Sequence, residues 1–149
     1  MLFAELNESL VLPQLDASTK DEVIEKMLAA LAATGKLHDT SAAREAIARN
    51  EHRMSIGMQH GVAIPHAKTS AVDEMLACVA VTREAIDCDA VDFRPSRIFI
   101  MTLSPKDRVG PHIRFLSEIG RILKSRRTRE RLMQAQTPAG MLKVLRSSA

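Results

Sequence analysis

Two stretches of this chain, residues 75 to 82 and 97 to 103, are apolar at almost every position, and they constrain the fold more than anything else in it. A strand with one wet face alternates polar and apolar residues. Runs as continuous as Met75, Leu76, Ala77, Cys78, Val79, Ala80, Val81 and Ile98, Phe99, Ile100, Met101 instead suit strands covered on both faces. The covering layers are legible on either side. Thr19 and Glu22 form a capping box, and Val23, Ile24, Met27, Leu28 and Leu31 then recur at helical spacing until Gly35. A second helix is expected from Asp39 or Thr40 to about Asn50, with Ala43, Ala46 and Ile47 inward. Downstream, a helix over residues 110 to 124 carries Pro111 in its first turn and is expected to bury Ile113, Leu116, Ile119, Ile122 and Leu123. Shorter helices are expected near 128 to 135 and 138 to 146. Residues 9 to 12 and 61 to 65 read as further strands, and 86 to 93 as one more. Helices, then strands, then helices again predict an α/β layered sandwich, a mixed β-sheet flanked by helices, as one domain over residues 1–149.

The chain has 149 residues, of which 46% are apolar, enough for a single core that removes about two thirds of the unfolded surface from water. Its start has no basic segment followed by a long apolar one, and no apolar run approaches a membrane span, so a cytoplasmic protein is expected, not inserted in a membrane. Two cysteines make no disulfide framework. Cys78 lies within an apolar run and should be buried, whereas Cys88, between Asp87 and Asp89, is expected nearer the surface with a raised thiol pKa.

The chemistry concentrates in Gly61, Val62, Ala63, Ile64, Pro65 and His66. Proline fixes its own φ and pushes Ile64 towards extended geometry, so this reads as a short strand delivering one imidazole to a rigid strand end. A neutral imidazole keeps one free lone pair, able to attack carbon or phosphorus or to bind a metal. Spacing alone does not choose among these.

The longer segment Gly57, Met58, Gln59, His60, Gly61, Val62, Ala63, Ile64, Pro65, His66, Ala67, Lys68 resembles the phosphorylation-site signature of enzyme IIA of the bacterial phosphotransferase system, in its fructose/mannitol and nitrogen-regulatory branch. The likeness spans roughly residues 5 to 146. It implies that His66 accepts a phosphoryl group from a histidine phosphocarrier protein, HPr or its nitrogen-branch counterpart. His112, followed by Ile113, Arg114, Phe115, Leu116 and Ser117, resembles the family's second active-site histidine, which opens a helix beside the first and steadies the phosphate. Gly57 and Gly61 would let the loop backbone approach that phosphate. Where the family usually carries an arginine, sixteen residues before the active histidine, this chain has Asn50, followed by the matching Glu51. Arg49 and Arg53 are near enough in sequence to substitute, and His60 shares the loop. The resemblance implies no cofactor, since the donor is already a phosphohistidine. It implies onward transfer to a transporter B domain or, in the nitrogen-regulatory alternative, binding of target proteins according to the phosphorylation state of His66. A third alternative is a non-phosphorylatable binding protein on the same fold.

Competing classes fare worse. Histidine at a strand end is more often an ordinary surface residue than a nucleophile, and His38 and His52 read that way. His60 and His66 are six apart, and none of the short ligand spacings of zinc sites occurs. Arg121, Lys124, Arg126, Arg127, Arg129 and Arg131 sit against the single acid Glu130, but there is no Trp or Tyr for base stacking and the net charge is only +3. A solvated helix face or a dock for a protein partner accounts for that run better than nucleic acid.

Overall fold

A computed structural model describes residues 3, 6–53, 57–108 and 110–149. In chain order its elements are β1 (Val11–Leu15), α1 (Lys20–Ala32), α2 (Thr40–Arg53), β2 (Val62–Ala63), β3 (His66–Lys68), β4 (Leu76–Ile86), β5 (Ser96–Ser104), α3 (Gly110–Leu123), α4 (Arg126–Gln134) and α5 (Pro138–Ser148). The strands form one mixed sheet in the order β1-β4-β5-β2, with β3 also on β5. β4 and β5 pair antiparallel at its centre, β1 runs parallel to β4, and β2 and β3 run parallel to β5. As the apolar runs require, Ala77 to Val81 and Phe99 to Met101 are wholly buried.

The caps act as the sequence predicts. Thr19 Oγ1 accepts from the Glu22 N–H, and Gly35, with φ +77°, sits just past the end of α1. Ser125 and Thr137 cap α4 and α5 in the same way. The side chain of Gln14, whose φ is +47°, donates to the carbonyls of Met133 and Ala135 and so ties β1 to the end of α4.

Three expectations need correcting. Residues 86 to 93 are not a strand of their own: Ile86 ends β4 and the rest turns back as a loop. Asp89 and Phe93 take positive φ there, 51° and 60°. The carboxylates of Asp87 and Asp92 each accept the N–H two residues on, closing turns that compete with a strand. Cys88 is buried, not exposed, because this loop folds onto Gly57, where a Cβ would stand 2.6 Å from the Cys88 carbonyl oxygen. Burial, before the neighbouring acids, pushes its thiol up to about 11, and pushes Cys78 up to about 12. On α3, Ile113 is 58% exposed while His112 and Phe115 turn inward. The helix meets the core through 112, 115, 119, 122 and 123, a face centred about 130° from where Ile113 points.

Candidate functional site

β2 and β3 are two pieces of one edge strand. Val62 pairs with Ile98 and Lys68 with Ser104, each residue opposite the one 36 positions later, and the register passes unbroken through Ile64 and Pro65. Pro65 has no N–H to give, but its carbonyl accepts from Thr102 N–H. His66 therefore opens β3 instead of following a strand's last residue. An unbroken register also sorts the side chains by period two. Ala63 and Ala67 enter the core, while Val62, Ile64, His66 and Lys68 share the other face.

That face lies along α3. Val62 and Ile64 line an apolar groove of about 340 Å³ with Ile119 and Leu123, while His66 lies beside the start of the helix, its ring centroid 6.1 Å from that of His112. Nδ1 of His66 lies 2.9 Å from the Ile64 carbonyl oxygen. A carbonyl only accepts, so Nδ1 carries the ring proton and Nε2 is left with the lone pair. The backbone thus fixes the tautomer of the ring.

His112 is 8% exposed, and its Nδ1 is sealed from solvent without a hydrogen-bond partner among the described residues. A buried N–H without an acceptor is the costlier orphan, so the neutral ring carries its proton on Nε2. Its pKa lies below the ordinary 6.5, chiefly because burial penalises the imidazolium, with smaller contributions from the charges of His66 and Lys68. A neutral ring with one N–H to offer, in the first turn of a helix of 14 residues, is suited to hydrogen-bonding an anion.

Asn50 does not reach into this space with a charge. From α2 its Nδ2 donates to the His66 carbonyl oxygen at 2.7 Å, holding β3 by its backbone. Next to it, Glu51 is ion-paired with Lys20 at the start of α1. Of the candidate supporting residues, Arg49 is largely exposed and 4.0 Å from Glu45, and Arg53 is exposed at the end of α2. His60 is exposed, with φ +64° and its N–H donated to Asp92 Oδ2 at 3.0 Å. Gly57 has a packing duty of its own beneath Cys88 and Ala90. Gly61 adopts φ +73°, and its carbonyl accepts from Arg97 and Ile98, launching β2. The structure thus brings His66 and His112 together and leaves the arginines outside. Sequence reading missed the role of Asn50, for which an amide late in a helix gave no signal. It also passed over Lys68, whose place two residues beyond His66 in an extended segment was a usable one.

Among the described residues, no group of three His, Cys, Asp or Glu side chains is placed to hold a metal ion, and no helix is long and apolar enough to cross a membrane. The arginine-rich stretch is partly engaged within the molecule. Arg121 pairs with Glu118, Arg126 pairs with Glu130, and Arg129 donates to the carbonyls of Leu123 and Lys124 at the end of α3.

A mixed sheet with these connections, bearing paired histidines at its edge, defines a class. The nitrogen regulatory protein IIA-Ntr of Neisseria meningitidis has this fold: the two superpose with a TM-score of 0.85 over 93% of this chain and 94% of that one, at 24% identity. Residues 5–148 match the family described as "Phosphoenolpyruvate-dependent sugar phosphotransferase system, EIIA 2", and the chain belongs to that family. The fructose-specific EIIA component of Haloferax volcanii is 34% identical over 86% of this chain and 83% of its own length. A nitrogen regulatory protein of Bradyrhizobium diazoefficiens is 25% identical over 91% and 88%. Membership makes the chain a phosphotransferase component.

Proposed function

We propose that the chain is a phosphocarrier which accepts a phosphoryl group on Nε2 of His66 from an HPr-type protein and passes it to a transporter B domain. The observation that carries this reading is the bond from His66 Nδ1 to the Ile64 carbonyl, which leaves Nε2 the free nitrogen beside a buried, neutral His112. The Nε2 lone pair attacks phosphorus in line as the donor's N–P bond breaks. The donor ring keeps the bonding pair and leaves as imidazole, and the proton on His66 Nδ1 stays in place. Because the transition state is loose, with charge spread over three equatorial oxygens, the protein's task is to position and to neutralise. His112 Nε2–H and the first-turn N–H groups of α3 supply donors for those oxygens. No nucleotide or metal ion enters the step. The nearby groove and the exposed Val91, Phe93 and Ile113 offer apolar surface for docking the partner proteins.

A second reading rests on the likeness to a nitrogen regulatory protein over most of both chains. Here the same phosphorylation would govern binding to a target instead of transport, by placing a doubly negative group at the start of α3.

Intact-mass spectrometry after incubation with phosphoenolpyruvate, enzyme I and the phosphocarrier tests the common step. One acid-labile phosphoryl group is expected on the wild type, none on His66→Ala, and loading slowed about 100-fold in His112→Ala, the scale of one lost transition-state donor. Wild-type protein that stays unmodified with several carriers would leave only a binding protein on this fold. Mixing the loaded protein with B domains separates the two readings: disappearance of the phosphoryl group supports transport.

A further inference from the structure

We infer that Lys68 is a catalytic residue of this site, its ammonium binding the phosphoryl oxygens on His66 from the side opposite His112; this rests on His66 being the acceptor. Three observations lead there. First, the unbroken pairing of β2 and β3 with β5 places His66 and Lys68 on one face of the edge strand, two residues apart. That is roughly 6.6 Å along the strand, a span a four-carbon stem covers easily. Second, Lys68 is exposed, and no ion pair or hydrogen bond engages its ammonium among the described residues. Its charge is nevertheless felt at His112. A cation held without a counter-ion beside the positive end of α3 is a place that lacks an anion. Third, other groups near the strand are committed elsewhere. Asn50 spends its amide on the His66 carbonyl, Lys20 pairs with Glu51, and Arg49 lies by Glu45.

A phosphoryl group arriving at Nε2 brings the missing negative charge. Its oxygens then have a neutral donor in His112 and a charged one in Lys68, and charge-assisted bonds are the stronger kind. Lys68 changes no bond in the step. It lowers the energy of the charge that spreads over the oxygens while N–P bonds are exchanged.

Phosphoramidate tests this without a docking partner: its P–N bond breaks as the bond to His66 Nε2 forms, and ammonia leaves with the bonding pair. Loading is followed by intact mass for wild type, Lys68→Met, Lys68→Arg and Arg114→Met, the last because the Arg114 guanidinium also folds back towards Gly110 at the start of α3. Lys68→Met is expected to load about tenfold more slowly, Lys68→Arg to recover to within about threefold of wild type, and Arg114→Met to match it. Imidazole ¹⁵N resonances report the His112 titration in the same variants, and its pKa should rise in Lys68→Met and not in Lys68→Arg. Equal loading by wild type and Lys68→Met would overturn the role of Lys68 and leave His66 untouched. Equal slowing in Lys68→Met and Arg114→Met would overturn it too, replacing a specific contact with a diffuse field. Absence of loading in wild type would overturn the His66 reading itself, and this inference with it.

Discussion

The centre and the edge of this sheet are built to opposite specifications. At the centre, β4 and β5 pair over most of their length, and Cys78, Val79, Phe99, Ile100 and Met101 have no exposed surface. At the edge, β2 and β3 are two and three residues long and are separated by Ile64 and Pro65, and β3 runs from a half-buried histidine to an exposed lysine. Apolar burial is what stabilises a domain, and it is concentrated where no chemistry takes place. These two edge strands bury only short side chains, those of Val62, Ala63 and Ala67, and leave polar groups at the positions on either side of Ala67.

Substitutions can break this contrast. Phe99→Ala is expected to destabilise the protein by about 3–5 kcal/mol, because the cavity would open in the most completely buried strand. His66→Ala removes one hydrogen bond at a half-buried position and should cost only about 1 kcal/mol while abolishing loading. Urea denaturation of the two variants side by side checks the pair; a His66→Ala loss as large as that of Phe99→Ala would mean that the edge is structural after all. Asn50→Ala sharpens the contrast from the other direction. It deletes the amide that holds the His66 carbonyl, at about 1 kcal/mol of stability, and should slow phosphoryl loading severalfold as β3 loosens. Loading at the wild-type rate would show that β5 alone positions the strand.

The smallest effect is a pH dependence at the boundary between the two regions. His112 is buried neutral, with its pKa below the ordinary 6.5 because burial disfavours the charged ring. Below about pH 6.5 the unfolded chain therefore binds a proton that the folded chain does not, and stability falls as pH drops through that value towards the folded pKa. Above that window the contribution vanishes. Chemical denaturation of wild type and His112→Leu between about pH 5 and 8 should show the acid-side decline reduced in the variant, whereas Phe99→Ala should shift the whole curve without changing its slope.

Most of the central architecture was legible because it depends on repeated local signals. The apolar runs of β4 and β5, the Thr19 cap and the helical spacing of α1 each carry the same message many times over. The two histidines were legible for a different reason, through their resemblance to a family motif. What escaped depended on single residues and distant contacts. Nothing in the sequence around Cys88 says that its loop will fold onto Gly57, 31 positions earlier. Ile113 and Phe115 are both apolar, and the orientation of α3 on the sheet, not their character, decides that one faces water and the other the Phe3 ring at 5.8 Å. Asn50 was legible only as a departure from a family pattern; its hydrogen bond spans 16 positions, a tertiary contact that no local pattern encodes.

The bond from Asn50 to the His66 carbonyl has a further consequence, for the molecule's behaviour in a crowded solution. An open sheet has two edges, and each is a template on which a second chain can add a strand. Here β2 with β3 forms one edge and β1 the other, and each carries a proline, Pro65 between the former pair and Pro13 within the latter. β1 also slips register between Leu12 and Leu15. On the opposite edge, the Val62 carbonyl accepts from Met58 N–H and the His66 carbonyl from Asn50. Neither side offers an incoming strand a regular row of free donors and acceptors, so the amide that holds the His66 backbone also guards the sheet against pairing with its own copies.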